Sequence, residues 1–225
     1  MALKAADLSE REAIMKAIMG NKLRMTQMFT EDGKRIPLTA IKVGPCPVVQ
    51  VKQNDGRDRY NAVQIGYEKV KEKSLTKPEI GHFQKADLEP HRHLREVRVD
   101  SLEGYEVGKV IDASVFEAGD RVDVTGTSKG RGFQGGVRRY NWGGGRETHG
   151  SMFHRGVGAI SPGTGQARVF PGKNLPGQMG NETVTVQNLE IIEVDADHGI
   201  VYVKGAIPGP NGGLVFVKQT TKGSN

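Results

Sequence analysis

The chain has 225 residues, of which 36% are hydrophobic and 31 are glycine, and its formal net charge at neutral pH is +6. This length suits one large domain with a core of its own, or one domain with a long insertion. The single cysteine, Cys46, excludes an internal disulfide and fits a reducing cytoplasm. No apolar run approaches the roughly 20 residues that a membrane span needs, so we expect no membrane partner. The basic balance favours a polyanionic partner.

The N-terminal region has two interpretations. Its first 20 residues, MALKAADLSEREAIMKAIMG, lack the continuous apolar stretch of a signal peptide. In one interpretation Ser9 caps a short helix from Glu10 to Met19, with apolar residues on one face. In the other, the region is a disordered overhang of the folded domain. The residues alone leave both open.

Eight short segments rich in valine and isoleucine predict β-strands, and several alternate apolar with polar residues as half-buried strands do. In chain order they are KRIPLTAIKVG, PVVQVKQ, YNAVQIGY, REVRV, DRVDVTG, ETVTVQNLEIIEV, GIVYVKGAI and GLVFVKQ. Turn signals separate strands at residues 31–33, 54–56 and 208–213. A short helix is predicted to begin near Pro78, between residues 76 and 90.

These elements predict a mainly β fold. Residues 15–125 and 181–225 are expected to form an antiparallel, barrel-like globular domain, with residues 1–14 as an N-terminal extension and residues 126–180 as an insertion. The insertion, called here the basic segment, has eight lysines and arginines against one acidic residue, a net charge of +7, whereas the rest of the chain has a net charge of −1. It lacks apolar periodicity, so either it is disordered alone or another molecule supplies its packing surface.

Within the basic segment, residues 130–135 read GRGFQG, a literal G-x-G-x-x-G. A dinucleotide site needs an amphipathic helix after this motif and an acidic residue about 20 residues further on. The following VRRYNWGGGRE is unsuited to packing on a sheet, and Glu147 comes too early. The G-K-[ST] ending of a phosphate-binding loop is also missing. We therefore expect no nucleotide cofactor.

The sequence offers few groups for catalysis or metal binding. Cys46 lies between two prolines in a strand-like region, which is typical of a structural thiol and not of a nucleophile. The pairs His91/His93 and His149/His154 lack cysteine or carboxylate partners at ligand spacing. We expect no catalytic residue and no metal.

The basic segment is instead predicted to bind RNA. Lysine and arginine neutralise phosphates, glycine lets the backbone approach a crowded surface, and aromatic rings stack on bases. No recognition helix for a DNA groove is visible. The predicted contact residues are Lys129, Arg131, Arg138, Arg139, Tyr140, Trp142, Arg146, His149, His154, Arg155, Arg168 and Lys173. The alternative is a solvated basic loop with the tryptophan packed against the barrel.

A family resemblance supports this interpretation. Residues 116–142, FEAGDRVDVTGTSKGRGFQGGVRRYNW, resemble the signature region of the family of ribosomal protein L-three of the large subunit. The resemblance continues in MTQMFTEDGKRIPLTAIKVGPCPVVQVK, LTKPEIGHFQKA, GQMGNETVTVQNLEII and VKGAIPGPNGG, and runs from about Met15 to Lys218. It implies a β-barrel of the type shared with translation factors. It also implies a long basic, glycine-rich extension that threads into ribosomal RNA toward the peptidyl transferase centre.

The same resemblance implies a structural function in the large ribosomal subunit. Members of the family bind large-subunit ribosomal RNA directly and early in assembly, beside neighbouring ribosomal proteins, on cytoplasmic ribosomes. No enzymatic activity, cofactor or small-molecule substrate is expected. Two competing classes are an enzyme that uses the glycine-rich segment, either a hydrolase or nucleotide-dependent, and a soluble translation-factor-like module that binds RNA transiently.

Some features depart from the family, among them an extension tip, GAISPGTGQARVFPGKNLPGQMG, that is less basic than usual. Residues 1–14 precede the usual start, which falls at Met15, and Arg24 stands where the family commonly has glycine. Bacterial members often carry a methylated glutamine near the tip of the extension. Thr164 occupies that place here, with Gln166 two residues later, so we do not expect the modification.

Overall fold

The computed structural model describes residues 16–54, 58–161, 163, 165 and 168–222. Its strands are β1 (Ala17–Phe29), β2 (Arg35–Val43), β3 (Cys46–Lys52), β4 (Ala62–Lys69), β5 (His91–Arg98), β6 (Val110–Ile111), β7 (Arg121–Thr127), β8 (Gly132–Gln134), β9 (Gly177–Met179), β10 (Thr183–Asp195), β11 (Ile200–Lys204) and β12 (Leu214–Gln219). Its helices are α1 (Lys77–Lys85) and α2 (Gly136–Tyr140), and its 3-10 turns are Glu72–Ser74 and Ala113–Val115.

The described residues divide into two compact units. The first unit contains the residues up to Thr127 and those from Val184 onward, and the second unit is Ser128–Thr183. Six strands of the first unit close into a barrel-like ring in the order β1-β12-β7-β10-β11-β2. Adjacent strands whose register is defined run antiparallel. The predicted mainly β, antiparallel, barrel-like fold is therefore confirmed.

The core of the ring is formed by the apolar residues whose alternation with polar residues predicted its strands. Ile18, Ile41, Val124, Val203 and Val217 come from five different strands and are completely buried. Since successive side chains of a strand point to opposite faces, alternate apolar residues of each strand meet inside the ring. Burial of such branched side chains is the main stabilising contribution in a fold of this kind.

A separate four-stranded sheet of the first unit has the order β5-β4-β3-β6. The strands predicted between residues 47 and 99 thus belong to this sheet and not to the ring. Helix α1 packs on this four-stranded sheet. The ring of Phe83 is buried, and its centre lies 6.0 Å from the centre of the His91 ring of β5. His82 Nε2 lies 2.7 Å from Gln64 Oε1 of β4.

Helix α1 confirms the helix predicted to begin near Pro78. Its start is stabilised by a capping interaction in which the backbone N–H of Thr76 donates to the Glu79 carboxylate at 2.8 Å. This hydrogen bond lowers the pKa of Glu79. Among the residues that the structure describes, no helix is long and apolar enough to cross a membrane.

The N-terminal strand corrects one expectation. The helical interpretation of residues 10–19, one of the two left open, is wrong over Ala17–Met19, which form the start of β1 and pair with Phe216–Lys218 of β12. These three residues are buried in the core, so pairing and burial outweigh the helical spacing of the apolar residues. Lys16 is not helical, and the rest of that helix, with residues 1–14 as a whole, lies outside the described residues.

Cys46 occupies the first position of β3 and is completely buried. Its Sγ donates to the Met19 carbonyl at 3.6 Å, and burial raises the pKa of the thiol to about 12. The thiol therefore stays protonated at neutral pH, as expected of a packing residue and not of a nucleophile.

Candidate nucleic-acid interface

A two-stranded ladder lies in the second unit. Strands β8 and β9 pair antiparallel, with Phe133 opposite Gln178, and the backbone N–H of Arg131 donates to the Met179 carbonyl at 2.8 Å. Gly180 allows the chain after β9 to lie close to the backbone of Lys129. It has a φ of +69°, and a Cβ at this position would collide with the Lys129 carbonyl. Neither strand was predicted from the sequence, since three residues are too few to show alternation.

Helix α2 follows the ladder and is a single turn of five residues. It ends at Asn141, whose φ of 57° places it in the left-handed region. The glycine motif at residues 130–135 comes after β7, but it contains the short strand β8, and α2 is too short to be the helix of a dinucleotide fold. The motif therefore lacks the arrangement that nucleotide binding requires.

Two neighbouring arginines of α2 have different surroundings. Arg138 is exposed, and its Nη1 lies 3.5 Å from Gln134 Oε1. Arg139 is half-buried, and its Nη1 donates to the Leu175 carbonyl at 2.7 Å while its guanidinium lies 5.0 Å from the centre of the Tyr140 ring. Arg139 therefore links helix α2 to the chain at Leu175. Arg138, in contrast, is available to a partner.

The aromatic residues that follow are packed within the second unit. The rings of Tyr140 and Trp142 lie 6.3 Å apart at an interplanar angle of 23°. A Cβ on Gly136 would come within 2.1 Å of the Trp142 ring, so the ring lies directly on that glycine's backbone. Both rings are half-buried, which leaves part of each surface accessible.

The remaining predicted contact residues are all exposed: Lys129, Arg131, Arg146, His149, His154, Arg155, Arg168 and Lys173. The loop that carries the histidines is held by a hydrogen bond of 2.6 Å from the Gly145 N–H to the His154 carbonyl. The guanidinium of Arg168 lies 5.8 Å from the Phe170 ring. Thr164 and Gln166 lie outside the described residues.

The charges of the two units differ in their pairing. In the first unit Lys16 pairs with Asp120 at 2.8 Å, Lys52 with Glu96 at 2.7 Å and Lys204 with Glu190 at 2.9 Å. None of the eight lysines and arginines of the basic segment pairs with a carboxylate in the part of the chain that the structure describes. Their charges are free to attract an anionic partner.

The second unit also exposes apolar side chains that were not predicted from the sequence. Met152 is 95% exposed and Phe133 is 76% exposed. The others are Phe153, Val157, Ile160, Val169 and Phe170. The absence of periodicity in the basic segment was the available signal, because side chains that cannot converge on one face cannot form a core.

The arrangement has the chemistry of a surface for a polyanion. Among the described residues, no group of three or more histidines, cysteines and carboxylates could hold a metal. The two histidines of the first unit that the sequence singled out are engaged locally, His91 Nδ1 lying 2.8 Å from the Glu89 carbonyl and His93 Nε2 3.5 Å from Glu68. The cations without carboxylate partners, the many glycines and the accessible rings together fit RNA.

Comparisons with known proteins agree with this class. The sequence model of the family described as Ribosomal protein L3 matches residues 96–199. The large ribosomal subunit protein uL3 of Pelotomaculum thermopropionicum is 51% identical over 207 residues, which cover 92% of this chain and 98% of the relative. Those of Petrotoga mobilis and Geobacter sulfurreducens are each 48% identical, covering 92% of this chain and 97% and 98% of the relatives.

Identity at this level over nearly the whole of both chains defines the class, a ribosomal protein. The chain belongs to the ribosomal protein L3 family. The predicted resemblance is therefore confirmed, and with it the expected location on the ribosome. The relatives named above are large ribosomal subunit proteins.

Proposed function

We propose that this family member is a structural constituent of the large ribosomal subunit that holds its place by binding ribosomal RNA through the basic segment. The observation that carries the proposal is the set of eight basic residues without carboxylate partners among the described residues of the second unit. Phosphate groups neutralise such charges and release counterions, which supplies most of the affinity of this kind of interface.

The exposed apolar residues of the second unit support the same partner. Side chains such as Phe133 and Met152 would normally be buried in a core. Folded RNA covers such groups by stacking and by close packing against bases and sugars. The relatives are named as large-subunit proteins, so the RNA proposed is that of the large subunit. Direct binding early in assembly, and an approach to the peptidyl transferase centre, follow from the family resemblance.

The proposal is tested by comparing two sets of substitutions in the full chain. In the first set five exposed arginines of the basic segment become glutamine: Arg131, Arg138, Arg146, Arg155 and Arg168. In the matched set five exposed basic residues of the first unit become glutamine: Arg24, Arg35, Lys71, Lys77 and Arg95. Binding to a large-subunit RNA transcript is measured across salt concentrations, with circular dichroism as the control for folding.

The first set should lower the slope of log affinity against log salt by up to about 4, since each lost phosphate contact contributes roughly 0.7–0.9. The matched set should leave the slope nearly unchanged. Equal effects of the two sets would contradict the proposal that the basic segment is the main anchor. Sedimentation of the native protein in a salt-washed lysate completes the test, because a transient factor would leave the large subunits and a structural constituent would stay.

A further inference from the structure

An open pocket of about 460 Å³ lies within the second unit. It is lined by Trp142, by residues 157–159 and by residues 172–174. The Trp142 ring is held in place by the backbone of Gly136, which it touches directly, and by the neighbouring Tyr140 ring. The pocket therefore has a fixed aromatic wall.

The pocket lining combines apolar, cationic and hydrogen-bonding groups. Val157 and Ala159 are apolar, Lys173 is cationic, and Asn174 has an amide that both donates and accepts hydrogen bonds. A nucleobase in RNA offers a flat π-face, a polar edge and a phosphate on each side. Each of these parts has a counterpart in the lining: the ring, the amide and the ammonium group.

The volume of the pocket limits which part of an RNA could occupy it. The volume lies within the range of about 300–1,000 Å³ that is usual for pockets that hold one small molecule, so a single nucleoside is the matching size and a duplex is not. The surrounding second unit is strongly basic, which attracts phosphate and disfavours the basic side chains of another protein.

We propose that this pocket receives a single unstacked RNA base, with Trp142 as the stacking surface and Lys173 at an adjacent phosphate. The proposal rests on the proposed function, since the base belongs to the bound ribosomal RNA. An apolar side chain of a neighbouring protein is the competing occupant, and the experiment separates the two.

Trp142 is the only tryptophan of the chain, so its fluorescence reports on this pocket without a label. The full chain is titrated with a large-subunit RNA transcript, and tryptophan emission and its accessibility to acrylamide are measured together with RNA binding by filter retention. Stacking should quench the emission and shield the ring from acrylamide. Trp142→Ala should weaken RNA binding about 5- to 100-fold with little change in salt slope.

Three further variants sharpen the test. Gly136→Ala should displace the ring, because the added Cβ would lie 2.1 Å from it, and should reduce quenching while Trp142 remains present. Lys173→Gln should lower the salt slope by about one unit at most and leave quenching intact. Phe29→Ala, at an aromatic residue of the first unit that is 64% exposed, is the control and should change neither measurement.

The outcomes are distinguishable. RNA binding with a normal salt slope but unchanged tryptophan emission and accessibility would overturn the pocket proposal and leave the proposed function standing. Absence of RNA binding by the full chain would overturn both. Shielding of Trp142 in intact large subunits but not in the protein–RNA complex would identify a protein side chain as the occupant and overturn the proposal of a base.

Discussion

Arg138 and Arg139 are adjacent in the sequence but have different partners. Arg139 donates to the Leu175 carbonyl and lies over the Tyr140 ring, whereas Arg138 is exposed. Both were predicted from the sequence as RNA contacts, because charge and spacing alone do not distinguish them. The difference depends on a tertiary hydrogen bond to a residue 36 positions away, which no local pattern encodes.

Alanine substitution should separate the two arginines. Arg138→Ala should lower RNA affinity and reduce the salt slope by about one unit at most, because a phosphate contact is lost. Arg139→Ala should instead accelerate hydrogen exchange around Leu175, because a half-buried carbonyl loses its donor. Salt titration and hydrogen exchange on each variant check this. An equal loss of slope in both variants would show that Arg139 also contacts phosphate.

Cys46 gives a prediction with a defined direction in pH. Burial raises the pKa of its thiol to about 12 from an ordinary value of 9.0, so the native state keeps the proton where the unfolded state loses it. Stability linked to this group is present below pH 9 and is lost as the pH rises toward 12. Cys46→Ala should cost modest stability at pH 7 and remove part of the alkaline decline.

Thermal unfolding between pH 7 and pH 11 measures the effect, and alkylation supplies a second readout. Iodoacetamide should modify Cys46 rapidly in denaturant and slowly in the folded protein at pH 8. Rapid alkylation of the folded protein would mean that the thiol is accessible, against the burial described.

At the scale of elements, the sequence predicted strands wherever alternation was long enough. β2, β7 and β12 fall within about two residues of the predicted segments. The start of β1 was included in one of two open interpretations, a helix, because its apolar residues also fit helical spacing and only pairing with β12 decides between helix and strand. β8 and β9 were missed, since their short ladder depends on backbone contacts and not on side-chain pattern.

The ladder of β8 and β9 depends on Gly180. Gly180→Ala should destabilise the ladder locally. The left-handed backbone of residue 180 alone would cost at least about 1–2 kcal/mol with alanine, and the collision with the Lys129 carbonyl adds to this cost. Gly143→Ala is the matched control, because Gly143 has no positive φ and open space around it. Hydrogen exchange of the Arg131 amide, which donates across the ladder, should be faster in the first variant only.

At the scale of the whole molecule, charge segregation was the most informative feature of the sequence. The excess of positive charge in residues 126–180 predicts the candidate interface, because the net charge of a segment can be counted from its sequence without knowledge of the fold. The pocket beside Trp142 could not be predicted in this way. Its lining comes from three separate stretches, residues 142, 157–159 and 172–174, which only the folded second unit brings together.

The two units should differ in their resistance to protease. We expect residues 126–180 to be cut first in the free chain, since they have few buried apolar side chains and many exposed glycines. A large-subunit RNA transcript should protect them. Limited trypsin digestion followed by mass spectrometry measures both states. Cleavage that begins in the first unit, or that RNA does not slow, would contradict the expectation.

Met152 is 95% exposed, and its sulfur is therefore open to oxidants for as long as RNA does not cover the second unit. Oxidation to the sulfoxide should accumulate in newly made chains that wait for a subunit and should stop once they are incorporated. Met19, which is completely buried, should stay unmodified in the folded protein and serve as the internal reference. The sulfoxide fraction at Met152 would thus record how long each chain remained unassembled.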